Sequence, residues 1–521
     1  MTASAHCQPR NLAELPLQAA LCRPDHTALT GDCPPMTYGA LAEAIRMVAG
    51  GFRRYGVQRG DCVALLCWNT APWVVSYFAL LGLGATVIPL NVRLKPPELA
   101  VILRDAGCRA LVADAQFDET VMALLADQSV GLKQVWLVEG ALTPPERWAG
   151  QMMRWEHLLL GDPIAEAAFP VAVQENTLAT LIYTSGTTGA PKGVMLSHGN
   201  ILADATANTA VIEATGDDVF VTVSPLFHVF GQTNILVTAM LSAATVVLVR
   251  QFNPRRIIQA VGEYGVTFLA AVPTMYQMML NTLSETGDPL YADTLRVCHS
   301  GAAPMPAPVF EAIERVFGAP VQEGYGLSEA TSIITSNPLQ GVRKPGSVGL
   351  PLPGLKVCVL RPDLTETTTE EVGEIHVQGP VVMQGYFNQP EKTAGRMADG
   401  WLKTGDLAYR DADGYIYIVN RVDDLFKVGG NKVYPREVED VLYQHPAVQA
   451  AAVCGRVDEA GHMRVHATLV PQGDVADEEL WKNEIRQWCL SRLADYKVPR
   501  QMVLVTELPQ GATGKILRRL L

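Results

Sequence analysis

Residues Tyr183 to Asn200 read YTSGTTGAPKGVMLSHGN. Hydroxyls at Thr184, Ser185, Thr187 and Thr188 alternate with Gly186 and Gly189, and Lys192 follows. Such a stretch can wrap phosphate: side-chain-free amides converge on oxyanions and the lysine adds a point charge. The nucleotide loop G-x-x-x-x-G-K-[ST] does not fit it. Five residues after Gly186 stands Pro191, and Lys192 is followed by Gly193, with no hydroxyl to hold Mg²⁺. A P-loop NTPase is therefore disfavoured. A slack surface loop is the plain alternative for any Gly/Ser/Thr cluster. Against it, TLATLIY before the loop and GVMLSH after it read as strands, which makes a phosphate-gripping loop between strands the better reading.

The rest of the chain must position that loop. Its 521 residues allow several domains and ample core. Apolar content of 48% and charged content of 18% describe an ordinary globular chain. A net charge of −12 disfavours nucleic-acid binding, so an anionic substrate has to be held by local groups. The 10 cysteines show no CxxC pair and no metal spacing, which suggests reduced thiols in a cytoplasmic setting. MTASAHCQPR does not read as a signal peptide. The uncharged stretches Val63–Val92 and Phe220–Val249 are long enough to span a bilayer, but Pro, Gly, Asn and His interrupt them. Both read as strand–helix–strand pieces of a core, and no transmembrane segment is expected.

From Leu12 to Asn420, short β-rich runs such as VALLCWN, TVIPLNV and ALVADAQF alternate with helical patterns. That rhythm predicts α/β layers with largely parallel sheets. TETTTEE (Thr365–Glu371) reads as a solvated turn before GEIHV. The pattern breaks at NRVDDLFKVGGNKVYP, where Pro435 opens a helix REVEDVLYQH. Strands VQAAAVCG and RVHATLV, helix EELWKNEIRQWCLSRLA and strand QMVLVTEL follow. The expected organisation is a large N-terminal domain of layered α/β subdomains, residues 1–420, and a small mobile α+β domain, residues 421–521, on a hinge.

The ordered set YTSGTTGAPKG, PLFHVFG, VPTMY, SGAAP, EGYGLSE, WLKTGD, NRVDDLFKVGGNKVYPREVE and PQGATGKILRR resembles the adenylate-forming superfamily. Acyl-CoA synthetases, peptide-synthetase adenylation domains and luciferases belong to it. The resemblance covers nearly the whole chain and implies two half-reactions. A carboxylate attacks the α-phosphate of ATP to give acyl-adenylate and pyrophosphate, and a thiol then displaces AMP. ATP, Mg²⁺ and coenzyme A are the implied cofactors.

Residue by residue, the resemblance places Thr184, Ser185, Gly186, Thr187, Thr188, Gly189 and Lys192 around the triphosphate. Glu329 becomes the Mg²⁺ ligand, with Thr184 a second, a donor set that suits a hard cation sharing phosphate oxygens. Ser300, Gly301, Ala302, Ala303 and Pro304, with Glu323, Gly324, Tyr325, Gly326 and Ser328, form the nucleotide pocket, where Tyr325 stacks on adenine. Asp406 and Arg421 take the ribose hydroxyls. Lys515 bridges carboxylate and α-phosphate in adenylation. Asp423 is the implied hinge, and Lys427 and Gly430 belong to a loop that replaces Lys515 when the small domain rotates. Gly430, lacking Cβ, would let the pantetheine arm pass; a left-handed turn is the plainer reading.

Segments lining the acyl pocket hold no formal charge in HVFGQTNILVTAMLSAATVVLV or AAVPTMYQMML, so a dicarboxylate lacks its cation. Val229, where amino-acid-activating relatives place Asp, disfavours an α-amino acid. Gly326, where acetate-activating relatives place Trp, is expected to leave the pocket open; it reads equally as a tight turn. His228 gates or orients the carboxylate, with Val229, Val272, Ser300 and Gly326 around it. The expectation is a CoA ligase for an apolar monocarboxylic acid, a medium- or long-chain fatty acid. An aromatic or alicyclic acid, or an acyl carrier protein in place of CoA, stays open, as does the oligomeric state. A catalytically silent acyl-AMP-binding regulator is disfavoured because Lys192, Glu329, Asp406 and Lys515 are all present.

Overall fold

Apolar runs without alternation become strands covered on both faces. Cys62–Leu66, Thr86–Pro89 and Ala110–Asp114, the cores of the three quoted runs, lie in one seven-stranded sheet. Its order is Met152–Arg154, Gln134–Val138, Ala110–Asp114, Cys62–Leu66, Thr86–Pro89, Leu178–Ser185, Pro191–Ser197. All neighbours are parallel except the last pair, which forms an antiparallel hairpin. The computed structural model describes residues 9–139, 148, 150–185, 191–287, 290–458, 461–509, 516 and 518–521.

A second sheet has nine strands, in the order Leu350–Pro351, Thr335–Ser336, Val321–Tyr325, Val297–Ser300, Phe268–Ala271, Val219–Val221, Thr245–Leu248, Thr27–Gly31, Met36–Thr37. Its middle is parallel and its edges antiparallel. Both uncharged stretches resolve as strand–helix–strand. Ala71–Gly82 packs almost wholly buried between its strands. Phe230–Val237 is a π-helix running into the α-helix Thr238–Ser242. Among the described residues no helix is long and apolar enough to cross a membrane.

A five-stranded antiparallel sheet follows, built on the long strand Trp401–Arg410, which pairs with Ile416–Arg421. Beyond it the chain forms a hairpin, Phe426–Val428 with Asn431–Val433, and a three-stranded sheet of Val448–Val457, Met463–Pro471 and Gln501–Leu504. Helices Pro435–Tyr443 and Glu478–Leu490 bury Val438, Leu442, Trp481 and Ile485 against that sheet. The fold is thus a large N-terminal α/β domain and a small C-terminal domain. The second helix and the last strand are shorter than the sequence suggests. The helix ends at Leu490, and the chain tightens past Ser491, where Arg492 N–H bonds the Cys489 carbonyl three residues back at 3.0 Å.

The candidate site residues stand at the carboxyl ends of adjacent parallel strands, where open α/β sheets present ligand crevices. Val272 follows Phe268–Ala271, Ser300 ends Val297–Ser300, and Tyr325 ends Val321–Tyr325.

Candidate active site

The opening motif is a hairpin as expected. Thr184 pairs with Lys192 and Ser185 with Pro191, so the strands deliver their ends to one point. Gly186, Thr187, Thr188 and Gly189 lie outside the described residues. The segment 384–387 runs alongside the hairpin: Met195 N–H donates to the Gly385 carbonyl at 3.0 Å and Phe387 N–H to that of Gly193 at 2.8 Å. This brings the Tyr386 ring to 5.3 Å from the Lys192 ammonium. The Tyr386 hydroxyl donates to Glu329 Oε1 at 2.8 Å, leaving the other carboxylate oxygen without a hydrogen bond among the described residues. One carboxylate held this way fits Mg²⁺, which takes its remaining ligands from phosphate and water. Burial lowers the Lys192 pKa, and Lys392 and Arg396 add to this, while Glu329 and Asp423 oppose it.

On the ribose side, Asp406 and Arg421 face each other across the antiparallel pair, with Arg421 Nε 3.2 Å from Asp406 Oδ1. The Tyr325 hydroxyl donates to Asp406 Oδ2 at 2.6 Å. Burial, then the Asp406 charge, drives the phenol well above its ordinary pKa, so it remains a donor. Tyr325, expected at the base, is thereby tied to Asp406, the expected ribose acceptor, as well.

Glu323 stands beneath the pocket. It is 1% exposed, and its Oε1 accepts the Met305 N–H at 3.2 Å, bracing the SGAAP loop. Burial pushes its pKa up to about 7, against the pull of Arg436 on the small domain. Ala302 has φ +66°, and a Cβ on Gly301 would sit 3.3 Å from the Gly324 carbonyl. The loop therefore packs edge-on against the neighbouring strand end. Ser300 Oγ is buried there without a hydrogen-bond partner among the described residues, and Ser328 is also buried.

Gly326 corrects an expectation. A Cβ there would lie 1.6 Å from the Ser332 carbonyl oxygen and 2.7 Å from Ile333 Cα. Its missing side chain makes room for the chain's own backbone, so the tight turn accounts for the glycine and the expected opening of the pocket is not needed to explain it. The turn it packs on carries Glu329 at its start and Thr331 at φ +64°, a strained setting for a β-branched residue. Asp204, fully buried on the helix His198–Ile212, fastens that turn: its Oδ2 accepts the N–H groups of Ser332 at 3.2 Å and Ile333 at 3.0 Å. The helix starts from the hairpin through a capping box, Ser197 with Asn200, so one short segment fixes both the phosphate strand and the metal turn.

On the acyl side, His228 is half-buried and its Nδ1 accepts the Phe230 N–H at 3.2 Å. An accepting Nδ1 leaves the ring proton on Nε2. Val229 and Val272 are each 2% exposed, and the Phe230 ring lies 3.5 Å from where a Gly301 Cβ would be. The π-helix also buries Gln232, Thr233 and Asn234, whose side-chain amides and hydroxyl find no hydrogen-bond partner among the described residues. π-Helices concentrate at functional sites.

The small-domain residues are not gathered at the phosphate end alone. Asp423 lies exposed in the turn after Ile416–Arg421, close enough to act on Lys192. Lys427 is exposed on the Phe426–Val428 strand. Gly429 and Gly430, at φ +56° and +86°, form the tight turn of the hairpin, and a Cβ on Gly430 would meet nothing within 4 Å. Among the described residues nothing packs on Gly430, and the hairpin tip faces solvent. Lys515 lies outside the described residues. Tyr386, Asp204 and Arg396 are additions to the expected set. Tyr386 sits in MQGYFNQP, between two recognised motifs, and no spacing points to it. Asp204 shows only as an acid inside an otherwise uncharged helix.

The family model for AMP-binding enzyme matches residues 17–387, and that for the AMP-binding enzyme C-terminal domain matches residues 437–515. The chain belongs to the AMP-binding enzyme family. It is an acid–thiol ligase of the AMP-forming acyl-CoA synthetase type, and its cofactors are ATP, Mg²⁺ and CoA. A long-chain-fatty-acid–CoA ligase of Bacillus subtilis (strain 168) is 32% identical, over 95% of this chain and 91% of that one. A 2-succinylbenzoate–CoA ligase of Geobacillus kaustophilus is 34% identical, over 96% of each. Among solved structures, an anthranilate CoA ligase in complex with anthranoyl-AMP superposes with TM-score 0.91 at 29% identity, covering 100% of this chain and 98% of that one.

Proposed function

We propose that this synthetase activates an apolar monocarboxylic acid, a medium- or long-chain fatty acid, and transfers it to CoA. The wall of buried, uncharged side chains beside the SGAAP loop, Val229, Phe230 and Val272, carries the reading, since it offers no cation to a second carboxylate. The acid's carboxylate oxygen attacks the α-phosphorus and pyrophosphate leaves, its charge met by Lys192; Glu329 and Thr184 would hold a Mg²⁺ that supplies further charge neutralisation there. Lys515 bridges the two reacting groups. The thiol sulfur then attacks the acyl carbon and the AMP oxygen departs. We place the boundary between the domains after residue 420 and the hinge at Asp423, the exposed turn beyond the last strand of the five-stranded sheet. Rotation there would carry Lys427 and Gly430 inward from their exposed hairpin.

An aryl acid is the second reading. The Phe230 and His299 rings lie 5.7 Å apart at 30°, and a flat ring would stack on such a pair. The relatives acting on 2-succinylbenzoate and anthranilate favour it too. Pyrophosphate release measured across butyrate, octanoate, palmitate, benzoate and anthranilate decides between them. A kcat/KM that climbs with chain length supports the fatty acid; a maximum at benzoate or anthranilate overturns it. Thioester yield with free CoA against phosphopantetheinylated carrier protein, measured in the same panel, identifies the thiol.

A further inference from the structure

The phosphate end of the site holds a cation that no motif assigns. Arg396 ends the short helix Pro390–Arg396, which is pinned to the metal side by Thr393, whose hydroxyl accepts the Tyr386 N–H at 2.8 Å. Its guanidinium lies close enough to the Tyr386 hydroxyl, the group that also holds Glu329, to oppose the rise that burial and Glu329 impose on the phenol's pKa. On the other side, Nη1 donates to the Lys403 carbonyl at 3.2 Å and stands 2.7 Å from where a Cβ on Gly405 would be. Gly405 precedes the ribose acceptor Asp406, so its lack of a side chain is what lets the guanidinium in. Arg396 thus spans the gap between the metal ligand and the ribose acceptor, where a bound nucleotide's phosphates must run. Among the described residues no carboxylate forms an ion pair with it. Lys192 and Lys392 share the neighbourhood, and the crowding is registered in the lowered pKa of Lys192.

We propose that Arg396 is a phosphate-binding residue, which grips the triphosphate tail of ATP and the departing pyrophosphate from the wall opposite Lys192. A guanidinium fork suits two phosphate oxygens at once, whereas an ammonium offers a point charge. Two cations on opposite walls would fix the tail in line for attack at the α-phosphorus and hold pyrophosphate after the bond breaks. This rests on the adenylation chemistry above.

The test is calorimetric binding of Mg²⁺-pyrophosphate and of AMP to the full chain, with KM for ATP, acid and CoA alongside. Arg396→Gln keeps a donor for the Lys403 carbonyl but removes the charge; Arg396→Lys restores it. The Gln variant is expected to weaken pyrophosphate binding and raise KM for ATP by about ten- to a hundred-fold, the scale of a charge-assisted hydrogen bond. AMP affinity and KM for CoA should stay within about twofold, and Lys should recover much of the loss. Wild-type pyrophosphate affinity in Arg396→Gln overturns the assignment, as does an equal loss for AMP and pyrophosphate, the mark of a structural role. A wild-type enzyme that neither binds nor releases pyrophosphate overturns the parent reading, and this one with it.

Discussion

The nucleotide side and the acyl side of this crevice are built from the same parallel strand ends but by opposite means. Around the nucleotide, polar side chains are tied together through named partners: Tyr386 to Glu329, Tyr325 to Asp406, Asp406 to Arg421, Asp204 to the turn of Glu329. Around the acid, Val229, Phe230 and Val272 present only shape, and the buried amides of Gln232 and Asn234 find no partner among the described residues. Preorganised polar groups stabilise charge that develops in a transition state, whereas an apolar wall discriminates substrates by modest increments per methylene. Rate should therefore reside on one side and selectivity on the other.

The largest effect expected from breaking this division is Lys515→Ala. It should lower acid-dependent pyrophosphate release by roughly a hundred- to a thousand-fold, the scale of a lost transition-state donor. Conversion of supplied acyl-adenylate to thioester should persist, because the proposed role confines the lysine to the first half-reaction. Equal damage to both half-reactions removes Lys515 from that role. Next comes Gly326→Ala. Its methyl group would collide with the Ser332 carbonyl, 1.6 Å from the ideal Cβ, and push the turn that carries Glu329. Activity should fall alike for butyrate, octanoate and benzoate, together with a lower Tm. A variant that loses octanoate while retaining butyrate would return Gly326 to the acyl pocket.

This contrast also explains what the sequence made legible. Polar wiring needs particular residue types at particular places, so the motifs could nominate Thr184, Lys192, Glu329, Asp406 and Arg421, and the structure pairs Thr184 with Lys192 and Asp406 with Arg421. Strand runs such as TLATLIY and ALVADAQF were equally plain, because parallel strands covered on both faces need unbroken apolar stretches. What stayed hidden depends on the direction of a bond in space. Gly326 reads as an opening until its Cβ vector is seen to meet backbone. Tyr386, with Arg396 behind it, comes beside Lys192 and Glu329 only because the segment 384–387 lies beside a hairpin nearly two hundred residues earlier, a juxtaposition with no local periodicity. The acid itself is the least legible feature, since shape arises from side chains that share no motif.

A smaller effect sharpens the nucleotide side. Tyr386→Phe removes the hydroxyl that holds Glu329 at 2.8 Å and leaves the ring against Lys192. One hydrogen bond to a charged group contributes about 1.5–3 kcal/mol, although part of it returns through solvent in a half-buried site. The Mg²⁺ concentration at half-maximal rate should rise about tenfold, with KM for the acid unchanged. An unchanged Mg²⁺ requirement would show that Glu329 is oriented without the tyrosine.

The smallest effect concerns Asp204, and its sign follows from linkage. Burial raises its pKa from the ordinary 3.8 to about 8, although two backbone N–H groups hold the charged form. An acid whose folded pKa exceeds its unfolded value keeps a proton in the fold that it would release in water. Its contribution to stability is therefore present at low pH and is lost as pH rises between about 4 and about 8. Asp204→Ala would leave the Ser332 and Ile333 N–H groups unpaired at about 1–3 kcal/mol each, which confounds the reading. Asp204→Asn keeps an oxygen for them and cannot ionise. The wild-type Tm should fall from pH 5 to pH 8, and the Asn variant should fall less, by about 2 °C or more, since 1 kcal/mol shifts a large domain by a few degrees. Some slope must survive in Asn, because Glu323, raised to about 7 by burial, acts in the same direction. Glu323→Gln on the Asn background should flatten it further. Parallel curves for wild type and Asp204→Asn would mean that Asp204 ionises in the fold without cost. The clamp on the Glu329 turn would then be an ordinary carboxylate, and the nucleotide side would lose its one buried acid whose protonation is coupled to the metal-bearing turn.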